Sequence, residues 1–227
     1  MLPSVNPRLL TAAALLVLVL AGCGGGASAD ELVDESVAAT SAVESFHLVI
    51  DVENVETSDS GLSLTFVDGD VLVPDRLEGK VGGTFLGLSV STDLVVVGED
   101  YFLKVPFSGW QKIDVDTLPA AFFDPEQGIL AVIEGASNLS RDGSDEVGGV
   151  ECIRITGEVQ ADTLKPLLNT AEGTRTLELE VWIGEDDKLL RRLRLSGPIE
   201  PDEDEDAVRT VELSQFDEPV QIEAPET

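Results

Sequence analysis

The chain has 227 residues and a formal net charge of −30, from 44 acidic against 14 basic side chains. A surface that acidic repels nucleic acid and anionic headgroups, so neither DNA nor RNA is an expected partner, and the polypeptide itself is not expected to cling to a membrane. Hydrophobic residues make up 43%, enough for a core, and with only 2 cysteines a disulfide framework is not expected.

At the N-terminal end a single cation, Arg8, precedes the apolar run Leu9 to Leu20. This is the layout of a secretory signal, and the run is too short to cross a bilayer comfortably, a task for roughly 20 apolar residues. It ends in Leu20-Ala21-Gly22-Cys23, followed by Gly24-Gly25-Gly26. That stretch resembles the lipobox of bacterial lipoproteins. The resemblance implies that residues 1–22 are a signal peptide removed on export and that the Cys23 thiol carries diacylglycerol, with the new amino terminus open to acylation as well. Each buried methylene contributes about 0.8 kcal/mol, so two or three acyl chains anchor a protein firmly. Localisation follows: the outer face of the cytoplasmic membrane, lipid-anchored and not spanning. Residues 23–29 are then the lipidated cysteine and a flexible tether of at most about 20 Å. Residues 30–227 form one domain.

After the tether, Asp30 to Glu44 reads as a helix capped by Ser28 or Asp30, with Leu32, Val33, Val37, Ala39 and Val43 as its apolar stripe. Phe46 to Glu53 alternates as a half-buried strand. Strand-like stretches follow at Leu62–Val67, Val71–Val73, Leu77–Leu86, Leu88–Val97 and Tyr101–Val105, too closely spaced for helical crossovers and therefore antiparallel. A second helix is expected from Asp124-Pro125 to about Leu139. Strands return at Cys152–Val159, a short helix at Asp162–Leu168, then a hairpin of Leu177–Ile183 and Leu189–Leu195, and a last strand at Val208–Phe216. About nine strands and three helices imply an α+β protein, a single strongly bent antiparallel sheet with helices across its concave face.

Chemistry-bearing residues are few. His47 is the one histidine, and no Gly-x-Ser-x-Gly, His-Glu-x-x-His, Cys-x-x-Cys, P-loop or Gly-x-Gly-x-x-Gly stretch accompanies it. The expectation is that the protein is not an enzyme, holds no metal and uses no cofactor. Cys152, on a strand-like stretch, reads as a buried inert thiol. The acidic run Asp202 to Asp206 lacks the spacing of a calcium loop and reads as a solvated loop. Arg191, Arg192 and Arg194 are the basic cluster, read as paired with surrounding acids, with contact to an anionic lipid headgroup as the alternative. More informative is the excess of apolar side chains for a thinly covered sheet. They would fill a plain core if sheet and helices close, and would line an apolar pocket if these stand apart.

The order of elements carries a resemblance. The lipobox and tether precede Ala42-Val43-Glu44-Ser45-Phe46-His47-Leu48-Val49, and Leu94-Val95-Val96-Val97 runs into Tyr101-Phe102 and Trp110. Phe123-Asp124-Pro125 then leads to Gly128-Ile129-Leu130-Ala131-Val132-Ile133, followed by Cys152 to Val159 and Val181-Trp182-Ile183. The chain resembles the LppX/LprA/LprF/LprG family of mycobacterial and other actinobacterial lipoproteins. The resemblance implies a half-barrel enclosing a hydrophobic cavity that binds acylated lipids or lipoglycans and helps move them from the inner membrane to the outer envelope. The implied partners are that ligand and the membrane reached through Cys23, with a membrane export pump as a further candidate that the sequence does not decide. No motif marks the cavity. Alternation picks Ile50, Val52, Leu64, Phe66, Val81, Phe85, Val90, Leu94 and Val96 from the strands, and Phe123, Ile129 and Val132 from the helical side. A structural or signalling lipoprotein with a solid core is the alternative.

Overall fold

In the computed structural model, residues 26–55, 62–85, 88–113, 128–165, 175–199 and 203–226 are described. Helix α1 (Ala29–Ser41) begins at Ser28, whose hydroxyl accepts the Glu31 N–H at 3.2 Å. The Glu31 carboxylate in turn accepts the Ser28 N–H at 2.8 Å, so two donors at the open helix start are satisfied together. Leu32, Val33, Ser36 and Thr40 form its buried face. The helix stops at Ser41, short of Glu44, because Val43 turns into the core and the next residues are tied elsewhere. The Glu44 N–H donates to the Asp217 carboxylate at 2.8 Å, and the Ser45 hydroxyl donates to the Glu218 carbonyl at 2.7 Å.

The chain continues through β1 (Ser45–Glu53), β2 (Leu62–Leu72), β3 (Arg76–Phe85), β4 (Leu88–Val97), β5 (Asp100–Val105) and β6 (Gly109–Ile113). Then come α2 (Ile129–Glu134), β7 (Ser137–Val147), β8 (Val150–Gln160), a 3₁₀ turn (Ala161–Leu164), β9 (Thr176–Gly184), β10 (Leu190–Ser196) and β11 (Val208–Ser214). All eleven strands join one antiparallel sheet in the order β6-β5-β4-β3-β2-β1-β11-β10-β9-β8-β7. The last strand pairs with the first, which stitches two meanders together at the centre. The edges β6 and β7 do not meet, so the sheet stays open.

Several expectations need correction. The second helix does not run to Leu139: it ends at Glu134, and Ser137–Val147 is the edge strand β7. Gly135 caps that helix, and most β7 side chains face solvent, so neither an apolar stripe nor an apolar alternation marks the strand. Residues 62–72 are one strand, with Gly69 and Asp70 carrying the ladder where two strands were expected. Within the described residues the short helix near Asp162 is the 3₁₀ turn. β6 was not expected at all.

The core lies on the face that carries the helices, called inner here. α1 packs on β7, β9 and β10, and α2 packs on α1 and the 3₁₀ turn. The outer face carries a smaller cluster in which Ile222 of the C-terminal segment, 1% exposed, covers Val95 and Phe102. Arg76 holds it there by donating to the Ile222 carbonyl at 2.8 Å.

Candidate functional site

Antiparallel pairing places side chains of directly opposed residues on one face, so register rows trace what the inner face is made of. One row runs Ile155, Val181, Leu193, Val211, Ile50, Val67, Val81 across β8, β9, β10, β11, β1, β2 and β3. Its β-branched and leucine side chains suit a pleated, buried surface. Exposure is 0% at Ile155 and Val181, 8% at Val211, and Val81 is half-buried. A parallel row runs Leu48, Gly69, Gly79, Leu94, Leu103.

Among the described residues, helical cover is uneven across this belt. α1 and α2 sit over the β7–β10 side. On the β3–β5 side the inner face reaches the hairpin tips with large apolar side chains in the open: Leu88 at 68%, Val90 at 46% and Val105 at 40% exposed. The apolar surface is therefore continuous from a sealed core to an accessible end.

Of the residues picked by alternation, Ile50, Leu94, Val96, Ile129 and Val132 belong to the main core cluster, between 0% and 6% exposed. Val52 and Val81 pack half-buried against it. Val90 lies on the same face, opposite Gly83 and toward the open end. Phe66 is on the other face. A bulge between Leu64 and Phe66 inserts one extra residue, so Phe66 pairs with Asp51 and Gly82 instead of continuing the inner row. Its ring lies over Gly82, where a Cβ would come within 2.0 Å of Phe66 Cε1. Leu64 and Phe85 hold register positions opposite Gly83 and Leu88. The side chains of those two, and the whole of Phe123 and Cys23, lie outside the described residues.

Alternation missed the glycines of the inner face. Gly69 and Gly79 oppose each other between Leu48 and Leu94, and a Cβ on Gly79 would sit 2.3 Å from the Asp68 carbonyl oxygen and 2.4 Å from Gly69 Cα. The floor there is bare backbone by necessity. A glycine inside a strand pattern is the signal for such close approach.

Titratable groups lie mostly off this belt. His47 is on the outer face, with Nδ1 2.8 Å from Asp70 Oδ1 and Nε2 3.4 Å from Asp68 Oδ1. Cys152 is also on that side, packed with Val147 and Trp182, fully buried, and burial pushes its thiol up from the ordinary 9.0. On the inner face Tyr101 is 6% exposed, and burial raises its phenol above the ordinary 10.0, so it stays neutral. Among the described residues no group of three His, Cys, Asp or Glu is arranged to hold a metal. The basic cluster is paired: Arg192 with Glu212 at 2.6 Å, Arg194 with Glu180 at 2.9 Å, and Arg191 with Asp187. The acidic loop is less solvated than its composition implies, because the Glu203 carboxylate accepts the Ile199 N–H at 2.7 Å and pairs with Arg209. The belt row itself carries no charge; in the next inner row Arg209, opposite Val52 and Leu195, is paired with Glu203.

The family model LppX_LprAFG lipoprotein matches residues 28–222, from the cap of α1 to the C-terminal segment. The chain belongs to this lipoprotein family. Among similar members, the lipoarabinomannan carrier protein LprG of Mycobacterium tuberculosis is 28% identical over 189 residues, 78% of each chain. The putative diacylated glycolipid transporter LprF of the same species is 26% identical over 200 residues, covering 77% of this chain and 74% of LprF. The fold is shared with solved members of the family. The crystal structure of LprF from Mycobacterium bovis aligns with a TM-score of 0.73 at 20% identity, covering 89% of this chain and 100% of that one. That of the Mycobacterium tuberculosis lipoprotein LppX aligns at 0.63 with 21% identity, covering 86% and 98%.

Proposed function

We propose that this protein is a membrane-anchored lipid carrier. Held by an acylated Cys23 on the outer face of the cytoplasmic membrane, it takes the acyl chains of a lipid or lipoglycan onto the inner face of its sheet. It then helps move the cargo toward the outer envelope, with an export pump as a membrane partner. The observation that carries this reading is the apolar belt from Ile155 to Val81, which stays uncharged and opens at Val90 and Leu88. The names of LprG and LprF, a carrier and a glycolipid transporter, support it.

No bond is made or broken. A chain of sixteen carbons gains on the order of 13 kcal/mol on leaving water, at about 0.8 kcal/mol per methylene. Almost none of that is gained on leaving a bilayer, because both environments are hydrocarbon. Transfer in and out is then nearly balanced, and the protein has only to match the bilayer's apolarity and keep water out.

Val81 tests the site, since it faces inward and retains some exposure, whereas fully buried Val96 has no room for a larger side chain. Val81→Trp should lower the lipid that co-purifies with the protein while the far-ultraviolet circular dichroism stays that of the native fold. Unchanged lipid content in the folded variant would count against this face as the binding site.

A further inference from the structure

The tips of two neighbouring hairpins depart from the rest of this acidic chain. From Val81 to Thr92, across the β3–β4 connection, no residue is charged, and none is from Val105 to Gln111 across the β5–β6 turn. Charged residues make up 26% of the chain, so two such gaps brought side by side by the β4–β5 pairing need an explanation. Among the described residues, the large apolar side chains that stand exposed are there too: Leu88, Val90, Val105 and, at the turn, Phe107, whose 110% exposure leaves it wholly in the open.

Turn geometry does not require a phenylalanine at this point. Phe107 has φ of 67°, a left-handed conformation that glycine or asparagine adopts with less strain than a bulky side chain. Behind the tip stand two cations, Lys80 and Lys104, 66% and 54% exposed, sharing one acid, Asp93, at 2.6 and 3.2 Å. They flank an open depression of about 470 Å³ that reaches Phe107. Trp110 lies next to it, with Lys104 Nζ 5.6 Å from its ring centre.

We propose that these two hairpin tips are a membrane-docking surface, with Phe107, Leu88 and Val105 entering the outer leaflet and Lys80, Lys104 and Trp110 at headgroup level. The order from tip to base is the one an interface demands: hydrocarbon-soluble side chains first, then a single cross-strand row that carries the Trp110 indole, directly opposite Lys104, and the two ammonium groups that meet phosphate. Lys104 precedes Phe107 by three residues across the turn closed by the Ser108 N–H to Val105 carbonyl bond, a span of at most about 10 Å, within the depth of a shallow interfacial insertion. The net charge of −30 does not forbid it. The side chains that would enter the leaflet are uncharged; behind them Lys80 and Lys104 stand among Asp93, Asp68 and Glu78, and the acidic β10–β11 loop is four strand spacings along the sheet from the β3–β4 tip and six from the β5–β6 tip, about 19 and 29 Å, beyond a Debye length of roughly 8 Å. Docking would lay the accessible end of the apolar belt against the leaflet that supplies the cargo, and for that consequence the inference rests on the carrier reading.

The test uses the full chain reconstituted through its own N-terminal region into phosphatidylcholine and phosphatidylglycerol vesicles whose acyl chains are brominated. The contribution of Trp110 is the difference between wild type and Trp110→Phe, and Trp182, buried on the outer face at the opposite end of the strands, is an internal reference. Trp110 fluorescence should be strongly quenched in the wild type. In Phe107→Asp, which alters a fully exposed side chain and leaves the fold intact, most of that quenching should be lost. Trp110 unquenched in the wild type, or equally quenched in Phe107→Asp, overturns the docking surface. Native mass spectra of the same preparations separate the two readings. A lipid-loaded protein with unquenched Trp110 refutes docking alone, and a quenched Trp110 in a protein that never carries lipid refutes the carrier reading alone.

Discussion

The hydroxyl of Thr40, near the end of α1, accepts the backbone N–H of Leu190 at 3.0 Å, and both residues are buried, at 2% and 0% exposed. Leu190 opens β10 at a break in the β9–β10 register, so this N–H has a partner on the helix. The bond fixes one end of α1 to the sheet, while the capping box at Ser28 fixes the conformation of the other.

Thr40→Val keeps the shape and removes the acceptor, which leaves the Leu190 N–H buried without a partner. The expected loss is about 1–3 kcal/mol. Thr40→Ser retains the oxygen and should lose clearly less. Urea unfolding of the three proteins checks this, and equal stabilities for the valine and serine variants would contradict the role given to the hydroxyl.

Hydrogen bonds from Ser28, its backbone N–H first, hold the Glu31 carboxyl below its ordinary value of 4.5. A group whose pKa falls on folding binds its proton more tightly in the unfolded chain. Its contribution is therefore complete above about pH 4.5 and is lost as the pH falls through the lowered folded value. Glu31→Gln should be less stable than wild type at neutral pH, with the gap in urea midpoint narrowing on acidification below that point. A gap that is constant or widens would argue against the box.

Cys152 is fully buried and its thiol is pushed up, so it should resist thiol reagents in the native protein at neutral pH. Under the proposed anchor, denatured protein taken from membranes should then titrate a single thiol, the Cys23 thiol being blocked by its acyl group. A second thiol in that preparation would mean a free Cys23 and would remove the anchor from the carrier reading.

The periodic elements were legible because burial imposes their period. α1, β3, β4, β9, β10 and β11 all emerge from spacing alone, within a few residues at their ends. β7 was not, since an edge strand exposed on both faces, as Arg141 to Glu146 are, carries no apolar alternation. Phe66 was assigned to the wrong face because a bulge shifts side-chain parity without changing composition. Gly69 and Gly79 carry no side chain, so apolar alternation gives their positions no weight. The pairing of Arg192 and Arg194 was readable from the surrounding acids. The fold of Glu203 onto the Ile199 N–H was not, since composition does not distinguish a solvated acid from one that closes its own loop.

Lipid carriage is tested most directly by native mass spectrometry of the chain extracted from membranes in mild detergent. The expected spectrum contains a species heavier than the covalent mass by one acylated lipid, lost on denaturation and diminished in Val81→Trp. A spectrum with only the covalent mass, before and after denaturation, would contradict the carrier reading and leave a lipoprotein with a solid core.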